Sequence, residues 1–277
     1  MIIPTAHLII LLITGAGVGF VIGLLGLGGG PILIPVQYIL YTGAGIPTDT
    51  SVKLAFGTNL LVVLPVAISS ALRHHQQGAV KWQVALVMGG CGLVTSFAGA
   101  TLATQLPGSA LKIVFGAVAL AIAIRMLTAK LPETREAETV SNPWLWAAWA
   151  VPIGLVTGIL GIGGGILMIP ILVLALRFRM HYAVATSVAI MIFNAASGAL
   201  GYIINGLNAP NLPAYSLGYV HLPTWFLLTV TGVGMAQLGA VTAHRLPGQQ
   251  LRYMFIAVVF YMGLRMIGVF DWLGWPI

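Results

Sequence analysis

Apolar residues in this chain come in long blocks, without the 3.6-residue period of an amphipathic helix or the alternation of a half-buried strand. The blocks cover residues 6–28, 31–41, 52–72, 80–104, 111–127, 144–176, 182–204, 222–243 and 251–269. A helix needs about 20 apolar residues to cross the hydrocarbon core of a bilayer, and most of these blocks are near or above that length. The block at 31–41 falls short, since as a helix it reaches only about 16 Å against a core of about 30 Å. Polar turns separate the blocks at residues 42–49, 73–78 and 205–219, and Leu-Pro-Gly turns begin at Leu106 and Leu246. Residues 129–143 form a charge-dense stretch that reads as a cytoplasmic linker between two halves.

Two of the interruptions are made of glycine. Residues 19–35 read Gly-Phe-Val-Ile-Gly-Leu-Leu-Gly-Leu-Gly-Gly-Gly-Pro-Ile-Leu-Ile-Pro. Residues 154–170 read Gly-Leu-Val-Thr-Gly-Ile-Leu-Gly-Ile-Gly-Gly-Gly-Ile-Leu-Met-Ile-Pro, with all six glycines and the last proline in register. Each glycine costs about 1 kcal/mol relative to alanine inside a helix, so three in succession break it. Further matches follow in order: Gly57-Thr58-Asn59 with Ala185-Thr186-Ser187, Lys112 with Arg252, and Arg125-Met126 with Arg265-Met266. The chain therefore reads as an internal duplication, residues 1–128 and 144–277. A hydrophobic segment interrupted at the same place in both halves points to a transporter binding site.

Composition narrows the class. Of 277 residues, 59% are hydrophobic and only 6% charged, too few charges to cover a soluble domain of this size. The fold class is an all-α polytopic membrane protein. The net charge of +7 is scattered over segment ends without a basic, aromatic-laced patch, so it reports topology and gives no reason to expect a nucleic-acid partner. If each glycine-broken segment crosses once, the halves are parallel and the basic residues split evenly between the two faces. If the chain turns back at the glycines, the halves are inverted. Arg73, Lys81, Arg125, Lys130, Arg135, Arg177, Arg179, Arg245 and Arg252 then share one face, with Lys53, Lys112 and Arg265 opposite. The second distribution obeys the positive-inside rule, which predicts inverted repeats with both termini periplasmic. Each repeat has a glycine-broken or re-entrant segment plus three spanning helices. No basic leader precedes the first apolar block, so that block is expected to stay as a membrane segment.

The candidate chemistry is anion binding. Glycines let an anion reach the backbone without a Cβ in the way, and a helix starting after them offers free N–H groups and the positive end of its dipole. Gly28, Gly29 and Gly30 in one half, and Gly163, Gly164 and Gly165 in the other, are thus expected to cradle one anion from two sides. Close helix packing is the alternative use of such glycines. Thr58, Asn59, Thr186 and Ser187 occupy equivalent positions and can donate to an oxyanion, or bond back to their own helices. Asn194 is mid-span on the block that carries Thr186. No Asp or Glu is deep in a span, which removes the carboxylate proton relay of many pumps. A coupling ion, Na+ or H+, would need backbone carbonyls or a histidine. His74 and His75 are in a polar turn and read as solvated. No cofactor or metal site is expected.

The duplicated Gly-x-x-x-Gly-x-x-Gly-x-Gly-Gly-Gly pattern, followed in each half by Ala-x-x-Thr-Asn or Ala-x-x-Thr-Ser-type positions, resembles the TauE/SafE sulfite-exporter family over the whole chain. The resemblance implies a transporter of sulfur-containing oxyanions such as sulfite, sulfoacetate or other organosulfonates. Its setting would be the lipid bilayer of a bacterial inner membrane, as monomer or homodimer. The halves depart from one another where Pro31 faces Ile166 and where Asn59 faces Ser187. A secondary carrier working by alternating access is the leading reading. A passive anion channel is the alternative within transport. An intramembrane enzyme would need a nucleophile with its base, or a metal cluster, and the sequence supplies no such motif.

Overall fold

The computed structural model describes residues 5–128 and 141–269. In chain order the helices are α1 (Thr5–Leu25), α2 (Gly30–Gly43), α3 (Thr48–Gln76), α4 (Trp82–Gln105) and α5 (Gly108–Thr128). The second half follows with α6 (Pro143–Leu160), α7 (Gly165–Pro170), α8 (Met180–Gly206), α9 (Leu222–Ala243) and α10 (Gly248–Ile267). α7 continues as a π-helical turn, Ile171–Ala175, and a two-stranded hairpin, β1 (Ser216–Leu217) and β2 (Val220–His221), precedes α9. Seven of these helices are long and apolar enough to cross a membrane. Most of the proposed linker lies outside the described residues. At its end, Asn142 caps α6 by accepting the Trp144 N–H at 3.0 Å, and Pro143 occupies the first turn, where a missing N–H costs nothing.

The spans follow the apolar blocks, with one correction at the end of α3. Residues 73–76, expected in a solvated turn, continue the helix, and His74 is fully buried. The reason is packing, because the ends of α1 and α9 meet α3 at that level. His74 Nε2 is 3.0 Å from the Gly23 carbonyl and its Nδ1 is 2.9 Å from His244 Nε2. At the other end of α3, Asp49 joins the element to α5. Its carboxylate accepts the Gly108 N–H at 2.7 Å and pairs with Lys53 one turn on, at 2.8 Å.

Glycine sets the helix separations. A Cβ on Gly15 would meet Leu228, one on Gly19 would meet Gly232, and one on Gly23 would meet Ala236, so α1 lies against α9 and parallel to it. α6 lies parallel to α4 in the same way, with Gly154 against Gly92 and Gly158 against Ser96. Such small-residue faces let backbones approach where no hydrophobic drive between helices exists. α3 is also parallel to α9, since Leu61 accepts from the Trp225 indole at 3.1 Å and Ser69 donates to the Val233 carbonyl at 2.8 Å. By contrast α3 and α8 run antiparallel, with Gly57 against Tyr202 and Gly198 against Leu60. α5 and α10 do the same, with Gly116 against Ile267 and Gly263 against Leu120.

These directions fix what happens at the glycines. α1 and α3 both run parallel to α9, so the chain between them must come back, and α2 is the returning arm. α4 lies parallel to α8 as well as to α6, with Gly89 against Phe193 and Gly201 against Ala100, so α7 returns likewise. The returning arms are short: α2 has 14 residues, about 21 Å at 1.5 Å per residue. Gly29 meets Asn59 and Val63 near the middle of the 29-residue α3, and Gly164 meets Asn194 near the middle of the 27-residue α8. Both turns are therefore deep in the bundle. Broken backbone is tolerated at that depth only where protein or a wet cavity surrounds it.

Candidate functional site

Each glycine turn uses backbone that side chains resist. Gly26 and Gly28 have φ of +63° and +81°, and Gly161, Gly163 and Gly164 have +62°, +78° and +102°. The two turns touch. The site of a Cβ on Gly30 is 3.0 Å from Ile162 Cα, and a Cβ on Gly165 would overlap the Gly26 carbonyl and Leu27. In the register of the two motif copies, Gly30 corresponds to Gly165 and Leu27 to Ile162, so the contact is reciprocal.

The flanking helices hold this contact with crossed hydrogen bonds. Asn59, on α3, donates from Nδ2 to the Gly161 carbonyl at 2.5 Å. Ser187, its counterpart on α8, donates to the Gly26 carbonyl at 3.2 Å and shares its proton with the Val184 carbonyl at 2.8 Å. Each half thus fastens the other half's turn. Thr58 and Thr186 act one step away, at the starts of α9 and α4. Thr58 Oγ1 accepts the His221 N–H at 2.9 Å, and Thr186 Oγ1 accepts the Lys81 N–H at 3.2 Å. All four side chains are fully buried. The structure therefore places Asn59 and Ser187 on the turns, and Thr58 and Thr186 on the neighbouring helix starts.

Asn194 stands apart from these. Its Nδ2 and Oδ1 are both buried without a hydrogen-bond partner, as is the Thr157 hydroxyl on α6. Both converge on one glycine: the site of a Cβ on Gly164 lies 3.0 Å from Asn194 Nδ2 and 3.1 Å from Thr157 Oγ1. Across the core, Asn59 keeps an unpartnered Oδ1, 2.6 Å from the site of a Cβ on Gly29. A buried polar group left unpaired costs about 1–3 kcal/mol, which makes these three side chains at one depth the candidate site. Helix starts add donors. In α7 the Leu167 N–H is the first to donate to a preceding carbonyl, that of Gly164 at 3.1 Å, so the N–H groups of Gly165 and Ile166 have no intrahelical acceptor; in α2 the position matching Ile166 is Pro31, which has no N–H to offer. The polar lining is thus concentrated in the second half. At the positions equivalent to Thr157 and Asn194, the first half has Ile22 and Val66.

Two further buried polar residues escaped the sequence reading, and a third, His74, was read there as solvated. Thr157 sits within the second glycine motif, where its mismatch with Ile22 was the available signal. Gln37 is fully buried on α2, with Oε1 accepting from the Tyr41 hydroxyl at 3.2 Å and Nε2 unpartnered. His74 was hidden by its polar neighbours. Among the described residues no group of three or more His, Cys, Asp or Glu side chains is arranged to hold a metal ion.

Comparison with known proteins agrees with this architecture. Residues 11–266 match the family model described as "Sulfite exporter TauE/SafE". A probable membrane transporter protein of Haemophilus influenzae is 26% identical over 94% of this chain and 97% of its own length. A probable membrane transporter protein of Methanocaldococcus jannaschii is 30% identical over 90% of this chain and 93% of its own length. No solved structure matches the chain significantly. A polytopic helical bundle with paired glycine turns, matched by a family model over nearly its whole length, belongs to the TauE/SafE sulfite-exporter family of membrane transporters.

Proposed function

We propose that the protein is a secondary carrier that moves a small sulfur-containing oxyanion across a bacterial inner membrane, by alternating access between inverted halves, residues 1–128 and 144–277. Sulfite, sulfoacetate and other organosulfonates are the substrate class. The convergence of the unpartnered Thr157 and Asn194 side chains on Gly164, midway along α8, carries the reading. An oxyanion with three oxygens would accept from the Asn194 amide, the Thr157 hydroxyl and the backbone N–H groups of Gly163, Gly164 and Gly165. Gly28, Gly29 and Gly30, with Asn59, would close the site from the other half, while Thr58, Thr186 and Ser187 fix the frame.

Inversion is supported by direction. α3 and α8 are equivalent by sequence and antiparallel in space, and so are α5 and α10. Two halves related in this way give an outward-open and an inward-open state of similar energy, which suits a carrier. The basic residues then gather on the face of residues 73–81 and 244–252, which the positive-inside rule makes cytoplasmic.

The test is flux into proteoliposomes, with radiolabelled sulfite, sulfoacetate, taurine, thiosulfate and sulfate offered in turn. At least one should enter the wild-type vesicles saturably, and Asn194→Leu should raise the half-saturating concentration about 10- to 100-fold, the worth of one or two hydrogen bonds to a charged ligand. Absence of flux for all five, or an unaltered Asn194→Leu, would overturn the assignment.

A further inference from the structure

Among the described residues the site is built from glycines and the neutral Thr157, Asn194 and Asn59 side chains, so an anion entering it brings a charge that these groups do not balance. Of the buried residues among those described, only Lys53 and His74 can be cationic, and Lys53 is bound by Asp49. His74 is placed differently. It bridges three elements where α1 ends, through the Gly23 carbonyl on one side and His244 at the end of α9 on the other. Gly23 is less than one helical turn from Gly26, where the first glycine turn begins.

The bonding assigns the protons. A carbonyl only accepts, so His74 Nε2 carries the hydrogen donated to Gly23, and Nδ1 of the neutral ring must accept. His244 Nε2 is then the donor across the 2.9 Å contact. A proton taken up by the half-buried His244 ring makes it an imidazolium, whose Nε2 proton can pass to His74 Nδ1. His74 then donates from both nitrogens and His244 Nε2 becomes the acceptor. No bond other than N–H is made or broken, and the two rings hold one extra proton between them.

The second half shows what this position does without a titrating group. Tyr202 is the counterpart of His74, and Gly158 the counterpart of Gly23. The Tyr202 hydroxyl lies 3.2 Å from the Gly158 carbonyl and 3.2 Å from that of Ile159. The same backbone contact is thus made once by a phenol and once by a histidine with a second histidine behind it.

We propose that His74 and His244 form a proton-binding site, and that the proton held there is the coupling ion for anion carriage. The coupling rests on the carrier reading given above. A positive charge at this level faces the anion path from the cytoplasmic end and lies beside the C-terminal carbonyls of α1, which favour it. The groups around the pair are few. From α8, His181 faces His244 at 6.1 Å between ring centroids, and its Nε2 is 2.9 Å from the Leu246 carbonyl. On α3 itself, Arg73 donates to Gln76 at 3.0 Å and His75 accepts from the Trp82 indole at 3.0 Å, and Arg245 follows His244. The one described carboxylate, Asp49, is at the opposite end of α3. Burial, and then the His181 ring, hold the His244 imidazole below its usual range, so this ring takes up its proton as pH falls.

Two measurements on the full chain test this. Ring-nitrogen NMR of histidine-labelled protein in nanodiscs should show His74 and His244 titrating together below neutrality, and the His74→Tyr variant should leave His244 a single independent step. A His74 ring that stays neutral while His244 takes up its proton would overturn the site. In proteoliposomes, accumulation of thiosulfate, which stays ionised across this range, should follow an imposed pH gradient by about tenfold per pH unit for one coupled proton. His74→Tyr should remove that response. A response that survives the substitution overturns the coupling. Flux that ignores the gradient in the wild type overturns the coupling alone, whereas no flux of any offered anion overturns the carrier reading and the coupling together.

Discussion

In the first half the arm that returns from the glycine turn is α2, a 14-residue helix with Pro31 in its first turn and Gln37 and Tyr41 buried together. In the second half the equivalent arm starts as α7 and loosens into a π turn, with leucines at 172 and 176 where Gln37 and Tyr41 would be. Around the arms the halves agree closely. Asn59 and Ser187 each donate to a carbonyl of the opposite turn, Thr58 and Thr186 each accept from the residue before a helix of the opposite half, α9 and α4, and His74 and Tyr202 each reach a carbonyl near the end of α1 or α6. The groups that recur in both halves each make a hydrogen bond that joins two elements, and of them Asn59 alone keeps an unpartnered atom, its Oδ1. Thr157, Asn194 and the His74–His244 pair are found in one half only, and they have unpartnered atoms or a proton to exchange, as Gln37 on α2 has an unpartnered Nε2. Shared residues build the frame, and in the proposed site most of the chemistry falls to residues that the halves do not share.

That division can be strained first where the two turns touch. Gly165→Ala puts a Cβ into the Gly26 carbonyl and should cost about 3 kcal/mol or prevent assembly, because overpacked backbone has nowhere to move. Gly17→Ala, on the same first helix but with open space around it, should be neutral or slightly stabilising. Thermal unfolding in detergent separates the two. Next come the crossed bonds. Asn59→Leu strips the Gly161 carbonyl of its donor and should cost about 1–3 kcal/mol, whereas Ser187→Ala should cost nearer 1 kcal/mol, its hydroxyl being shared between two carbonyls. Similar losses for both would put the asymmetry elsewhere. Tyr202→Phe should be smallest, about 0.6 kcal/mol as for interhelical hydrogen bonds in membranes, and it should leave the pH dependence of transport as it is in the wild type. A changed pH dependence in Tyr202→Phe would break the contrast with His74.

Much of the frame was legible in the chain. Uninterrupted apolar blocks gave the spans, and the duplicated glycines gave the turns, because a helix cannot absorb three glycines and the register of the copies is unambiguous. Asn59, Ser187 and Asn194 stood out as polar residues in apolar surroundings. Thr157 did not, because attention to what the two motif copies share passes over the position where they differ. His74 was lost for a different reason. Arg73, His75, Gln76 and Gln77 around it read as a turn, yet the ends of α1 and α9 converge there and bury the one ring that can bond both. The π turn after Pro170 has no counterpart in α2, although Pro35 matches Pro170, and nothing in the sequence distinguished them.

The seat proposed for the anion is most directly tested by Thr157→Val, which removes one hydroxyl and changes little else. Equilibrium binding of sulfite and thiosulfate to the purified variant should weaken about tenfold, the value of a single hydrogen bond to a charged ligand. Its ligand-free unfolding temperature should stay level or rise, because a buried hydroxyl without a partner has been removed. Undiminished binding, or a loss of binding accompanied by an equal loss of ligand-free stability, would contradict the seat at Gly164.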